Sequence, residues 1–189
     1  MKKKIGMVIV KTYTIFTFLF WTLFNRLLLG MLWNLGRKTR FEGVIYIPAV
    51  KGDITVGNMT MFGPQVRVGA TENAKIVIGD RVSINQGSFI ISRKSITIGN
   101  DCRIGEFVSI RDNDHNWLDS TIPIAEQGFI TESVIIGSDV WIGRCVTIGK
   151  GVKIGDGCII GAGAVVTKNI PPFSVAVGCP ARVIKSRSK

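Results

Sequence analysis

The sequence predicts an all-β fold: a parallel β-helix wound from six-residue units, with an apolar, basic N-terminal segment of helical character before it and a short basic tail after it. Two observations carry the solenoid. Aliphatic residues recur at Ile136, Ile142, Ile148, Ile154, Ile160 and Val166 in unbroken register, and the residue four places after each of the first five is small or β-branched: Val140, Val146, Val152, Cys158 and Ala164. A third observation sets the N-terminus apart. The net charge is +11, yet residues 1–41 hold eight Lys and Arg and no acid, while the other sixteen bases face thirteen acids. At 189 residues one folded domain is expected, and 46% apolar composition excludes a disordered chain. We divide the chain into residues 1–42, a solenoid over 43–171 interrupted at 111–133, and a tail over 172–189.

The N-terminal segment interleaves Lys2, Lys3, Lys4, Lys11 and Arg26 with Thr12–Phe24 and Leu27–Leu35, both rich in Phe, Leu and Trp. Bases suit an anionic membrane surface, and the apolar residues suit its acyl boundary. The longest charge-free run, Thr12–Asn25, is short for a bilayer span of about 20 residues. We expect the segment to lie on or dip into one leaflet, at the cytoplasmic face of the inner membrane. A snorkelling span, a signal peptide lacking a small-x-small cleavage site, and a buried helical cap are the other readings. A basic face for nucleic acid is not expected, because the excess charge lies outside the repeat.

Next come the coils. Shorter runs in the same period start at Val56, Ile78 and Ile98, before the long run from Ile136. A helix of period 3.6 would smear a six-residue repeat around its surface, whereas short strands broken by turns hold it in place. The leading aliphatic and the fifth residue should point inward, and three hexads should close one triangular turn. The Gly that often follows the leading residue is expected to take the positive φ of a sharp corner. Cys102, Cys145, Cys158 and Cys179 form no CxxC pair, so neither zinc nor disulfides are expected, and a reducing compartment is.

The period stops after Ile110 and resumes near Val134. The interruption is polar and acidic and carries His115, the one histidine of the chain. A break of this length in a solenoid points to function. An imidazole titrating near neutrality is the candidate acid–base group. A single histidine excludes sites that need several imidazoles from one subunit. Cys145 has no second histidine to activate it, so we read it as a repeat residue.

Asp114–Trp117, Pro123-Ile124, Glu126–Gly128, Ile136–Gly143, Ile160–Lys168 and Gly178–Ile184 together resemble the motifs of the hexapeptide-repeat acyltransferases, over roughly residues 54–185. They are most similar to the maltose/galactoside O-acetyltransferase group and to O-acetyltransferases of surface polysaccharides. The resemblance implies a left-handed coil, a homotrimer with sites between subunits, and transfer of acetyl from acetyl-CoA to a sugar hydroxyl. It implies His115 as general base for direct attack on the thioester, with the oxyanion met by a backbone N–H near Gly143 or Arg144. Glu126 is the carboxylate expected to orient the ring, and Asp114 is the alternative. Trp141 should point outward, lining an intersubunit cleft or packing the trimer. Asn85 is either an acceptor contact or a corner residue. Coenzyme A is expected along the coils near Ala162, its phosphates at Thr167 and Lys168 and its adenosine end at Arg182 and Lys185. Some relatives carry Arg at the last position, and Lys cannot stack on adenine as a guanidinium does. The apolar N-terminus suggests a polysaccharide or lipid-linked saccharide precursor as acceptor, or a nucleotide sugar. An amino sugar, a chloramphenicol-type xenobiotic, or a non-catalytic scaffold are the alternatives. A γ-class carbonic anhydrase is excluded, because its zinc needs three histidines per site across the trimer.

Overall fold

The computed structural model describes residues 2–49 and 51–187. It begins with helix α1 (Lys2–Leu29) and continues as a three-faced parallel solenoid. Sheet 1 stacks six strands, from Asn34–Leu35 to Lys153–Ile154. Sheet 2 stacks seven, from Arg40–Phe41 to Ser174–Val177, and ends on an eighth, antiparallel strand, Arg182–Ser186. Sheet 3 stacks five, from Arg67–Ala70 to Val165–Val166.

The register is that of the hexads. Ile84, Ile104, Ile142 and Ile160 are paired in succession on sheet 2, and all are buried. Fifth-position residues from Val82 to Ala164 are buried too. Each face thus carries two inward columns, worth about 2 kcal/mol per fully buried aliphatic side chain.

The positive φ lies elsewhere than expected. It falls on the fourth residue of the hexad, at Arg81, Asp101, Asp139 and Cys145, and not on the second-position glycines. Those glycines are required by proximity. A Cβ on Gly143 would lie 2.6 Å from the Ala162 nitrogen in the next coil, and one on Gly105 would lie 2.7 Å from that of Arg144. Backbone would meet side chain there, so the spacing between coils selects glycine.

The corner from sheet 1 to sheet 2 is tied by a side-chain ladder. The third-position N–H of each coil donates to a side-chain oxygen one coil on: Arg37 to Asn58, Asp80 to Asn100, Asn100 to Ser138 and Ser138 to Asp156, at 2.7–3.1 Å. The corner from sheet 2 to sheet 3 has no such ladder. Among the described residues, the N–H groups of Arg144 and Ala162 make no hydrogen bond.

The solenoid begins at Asn34, inside the segment that the sequence boundary at 42 set apart. The last turns of α1 cover this first coil. Thr22 Oγ1 both donates to the Phe41 carbonyl and accepts from its N–H. Asn25 Nδ2 donates to the Gly43 carbonyl, and Arg26 donates to the carbonyls of Gly36 and Thr39. Leu29 and Trp33 are buried against the core. The opposite face of α1 is bare: Phe16, Leu19, Leu23 and Leu27 are each more than half exposed. Among the described residues no helix is long and apolar enough to cross a membrane.

Burial separates the thiols. Cys102 and Cys158 are buried, and desolvation pushes the Cys102 thiol up to about 11. Cys145 and Cys179 are exposed. Iodoacetamide at neutral pH should therefore label Cys145 and Cys179 in the native chain, and all four only after denaturation, as read by peptide mass spectrometry.

Candidate active site

The interruption leaves the solenoid after Ser109–Arg111 on sheet 3 and returns as Val134–Ile136 on sheet 1. It folds as an antiparallel hairpin in which Asn113, Asp114 and His115 face Thr131, Ile130 and Phe129. A 3-10 turn (Ile124–Glu126) lies at its far end.

Asp112 roots the hairpin and was not singled out from sequence. Its fully buried carboxylate accepts from Ser92 Oγ at 2.6 Å and from the N–H groups of Arg93 and Lys94, both at 2.8 Å. Its carbonyl accepts from Glu132 N–H at 2.9 Å, closing the base of the hairpin. A carboxylate two residues beyond a buried aliphatic, where the period breaks, is the signal that could have found it. Gln127 clasps the outer loop, donating to the carbonyls of Asp119 and Ile122 and accepting from Asp119 N–H. Two hydrogen bonds from Thr121, from its hydroxyl and its N–H, hold the Asp119 carboxyl below the usual range.

His115 is exposed, and its ring lies 4.5 Å from that of Phe129. Phe129 is in turn covered by the Arg93 guanidinium at 3.5 Å. The imidazole, Arg93 and Arg111 line a pocket of about 380 Å³ together with Ile91, Asn113, Asp114 and Phe129. Among the described residues, no carboxylate is hydrogen-bonded to the imidazole. Glu126 sits exposed in the 3-10 turn, and Asp114 pairs with Lys150 at 3.4 Å, which also pairs with Glu132. The ring is seated by aromatic contact rather than by the carboxylate expected from sequence.

The other predicted residues lie along a different edge. Asn85 follows its sheet 2 strand and donates to Glu106 at 2.9 Å. Trp141 points outward from sheet 2 and is 57% exposed. The Gly143 N–H donates to the Ile160 carbonyl at 2.8 Å, so it is not a free oxyanion donor; the Arg144 N–H beside it is unbonded. The Ala162 N–H is equally unbonded one coil further on. Thr167 and Lys168 are exposed past the last sheet 3 strand, and Arg182 and Lys185 lie exposed on the antiparallel strand. The structure thus aligns Trp141, Arg144 and Ala162 on the corner between sheets 2 and 3. His115 stands at the corner between sheets 3 and 1, a face of about 15 Å away.

A hexad solenoid broken by one histidine-bearing hairpin defines a class, and the comparisons agree. The family described as bacterial transferase hexapeptide (six repeats) matches residues 133–168. A probable acetyltransferase of Mycobacterium tuberculosis is 37% identical over 134 residues, 71% of this chain and 44% of its own length. A polysialic acid O-acetyltransferase of Escherichia coli is 41% identical over 118 residues, 61% of this chain and 38% of its own. The chain thus spans less than half the length of these curated relatives. A solved maltose O-acetyltransferase from Clostridium difficile is 30% identical, with TM-score 0.56, covering 85% of this chain and 73% of that one. Two further solved acetyltransferases of this likeness hold coenzyme A or acetyl-coenzyme A. The chain belongs to the hexapeptide-repeat acyltransferases.

Replacing Asp112 by Ala leaves the buried Ser92 hydroxyl and the Arg93 and Lys94 N–H groups without their acceptor, and should cost about 3 kcal/mol in urea unfolding. Asp112→Asn, which keeps the shape, should cost less.

Proposed function

We propose that this chain transfers acetyl from acetyl-CoA to a hydroxyl of a saccharide, with His115 as general base. One observation carries the reading: the single imidazole projects into an open pocket from a hairpin that a buried carboxylate anchors to an otherwise regular solenoid. The neutral imidazole takes the hydroxyl proton as the oxygen attacks the thioester carbonyl. The tetrahedral intermediate carries its charge on the former carbonyl oxygen, where the Arg144 N–H is free to donate. Collapse expels the thiolate, which recovers the proton from the imidazolium, so no acyl-enzyme forms.

Coenzyme A suits the edge that holds that donor. The unbonded N–H groups of Arg144 and Ala162 offer hydrogen bonds to the amide carbonyls of its arm, and Thr167, Lys168, Arg182 and Lys185 offer partners for its phosphates and adenosine end. This edge and the His115 corner are a face apart in one chain. A homotrimer in which the histidine corner of one copy meets the Trp141 edge of the next resolves this, and Asn85 then becomes an acceptor contact. Solved and curated relatives named for O-acetyl transfer to maltose and to polysialic acid support a sugar hydroxyl as acceptor.

The bare face of α1 supports a membrane surface as second partner, at the cytoplasmic face of the inner membrane, with a polysaccharide or lipid-linked precursor as acceptor. Exposed Phe16, Leu19, Leu23 and Leu27 offer apolar insertion, and a stretch of eight bases without an acid offers attraction to anionic headgroups.

His115→Ala should lower kcat about a hundred- to ten-thousandfold in a thiol-release assay with acetyl-CoA across saccharide acceptors, with the fold intact by circular dichroism. Turnover close to the parent overturns the base assignment. In flotation with phosphatidylglycerol vesicles the full chain should rise with the lipid, and the variant carrying Leu19→Gln, Leu23→Gln and Leu27→Gln should stay in the dense layer. Equal flotation of the two overturns the membrane reading.

A further inference from the structure

The pocket around His115 carries two guanidiniums that, among the described residues, no carboxylate offsets. Arg93 and Arg111 both line it, both are exposed, and among the described residues neither has an acidic partner. The one carboxylate in the lining, Asp114, is already offset by Lys150 at 3.4 Å. Phe129 holds the Arg93 guanidinium flat at 3.5 Å from its ring, so this cation is oriented before any ligand arrives. Arg111 pairs in register with Ile91, which places it on the same outer face of sheet 3, two residues along the neighbouring strand from Arg93. The strands of that sheet contain no Asp or Glu among the described residues, and Arg67 extends the same face over Tyr46 and Phe89.

Two unpaired guanidiniums beside a general base are a receptor for an anion on the molecule that the base deprotonates. Coenzyme A does not account for them. Thr167, Lys168, Arg182 and Lys185, which suit its phosphates and adenosine end, lie at the far end of the solenoid, whereas its thioester is the end that must reach His115. We infer that the acceptor is an acidic saccharide, bearing a carboxylate or phosphate close to the hydroxyl that is acetylated, and that Arg93 and Arg111 read this charge. The inference rests on the proposed transfer to a saccharide hydroxyl. Guanidiniums suit the task because their planar donors meet carboxylate or phosphate oxygens in pairs.

The test uses the full chain at fixed acetyl-CoA. Thiol release is measured with methyl β-galacturonide and methyl β-galactoside, which differ by the oxidation of C6 to a carboxylate, and with galactose 6-phosphate as the phosphate arm. One charged acceptor should exceed the neutral sugar about tenfold in kcat/KM, the difference lying in KM, and the better of the two identifies the anion. Arg111→Gln should shrink that ratio several-fold, Arg93→Gln likewise, and Arg93→Lys should retain more of it than Arg93→Gln. A ratio near one in the parent, or one unmoved by either Gln variant, overturns the inference, while turnover of the neutral sugar that depends on His115 leaves the transfer reading standing. Should none of the three be turned over, the transfer reading fails for these sugars, and calorimetric binding of the same three decides the charge. Tighter binding of a charged sugar that is lost in Arg111→Gln supports the receptor, and equal binding overturns it.

Discussion

The close approach of one coil to the next governs this molecule. Each backbone must hydrogen-bond to its neighbours along three faces, and the chain turns a corner every six residues to do so. That spacing excludes a Cβ at Gly105 and Gly143, where the next backbone would be met below 3 Å. It also brings polar side chains of one coil within reach of the N–H groups of another, giving the ladder from Arg37 to Asp156. Inward aliphatic columns supply the burial, but the backbone approach dictates which residues stand between them. Where the ladder is missing, as at Arg144 and Ala162, donors are left facing outward along an edge. The same spacing that ties one corner therefore leaves N–H groups unbonded at another.

The site is an interruption, and interruptions in a solenoid need a root. Asp112 supplies it by filling a buried position with a carboxylate whose oxygens accept hydrogen bonds from Ser92, Arg93, Lys94 and Asn113. Those bonds also fix the backbone that carries Arg93, which caps Phe129, against which His115 rests. One buried carboxylate thus aligns the imidazole, the aromatic ring beneath it and a neighbouring guanidinium. Side chains belonging to different coils become a single unit through it.

Much of this was legible in the sequence. The hexads from Ile136 to Val166 sit where their period places them, Trp141 points outward, and the break after Ile110 is the hairpin that bears His115. Four features were not legible. The role of the glycines was misjudged, because the distance between coils cannot be read from one coil; the positive φ belongs to the fourth residue, where Asp139 and Cys145 adopt it. The first coil, from Asn34, carries only one aliphatic–glycine pair, Leu35-Gly36, directly after the apolar run, and so merged with the apolar segment. Thr22, Asn25 and Arg26 answer the open backbone groups of Phe41, Gly43, Gly36 and Thr39, a role visible only once the first coil lies beside the helix. The contact partner of the imidazole also escaped, since the pairing of His115 with Phe129 depends on hairpin register and not on spacing along the chain.

A stack of parallel strands presents unsatisfied amides and carbonyls at both ends, and identical ends can join copy to copy into a fibre. Here neither end is a plain strand. The final turns of α1 occupy the edge of Arg40–Phe41, and at the other end Arg182–Ser186 runs backwards against Ser174–Val177. A helix cannot template a strand, and a reversed strand offers the wrong polarity for continuing a parallel stack. Both terminations act as stoppers against end-to-end growth along sheet 2.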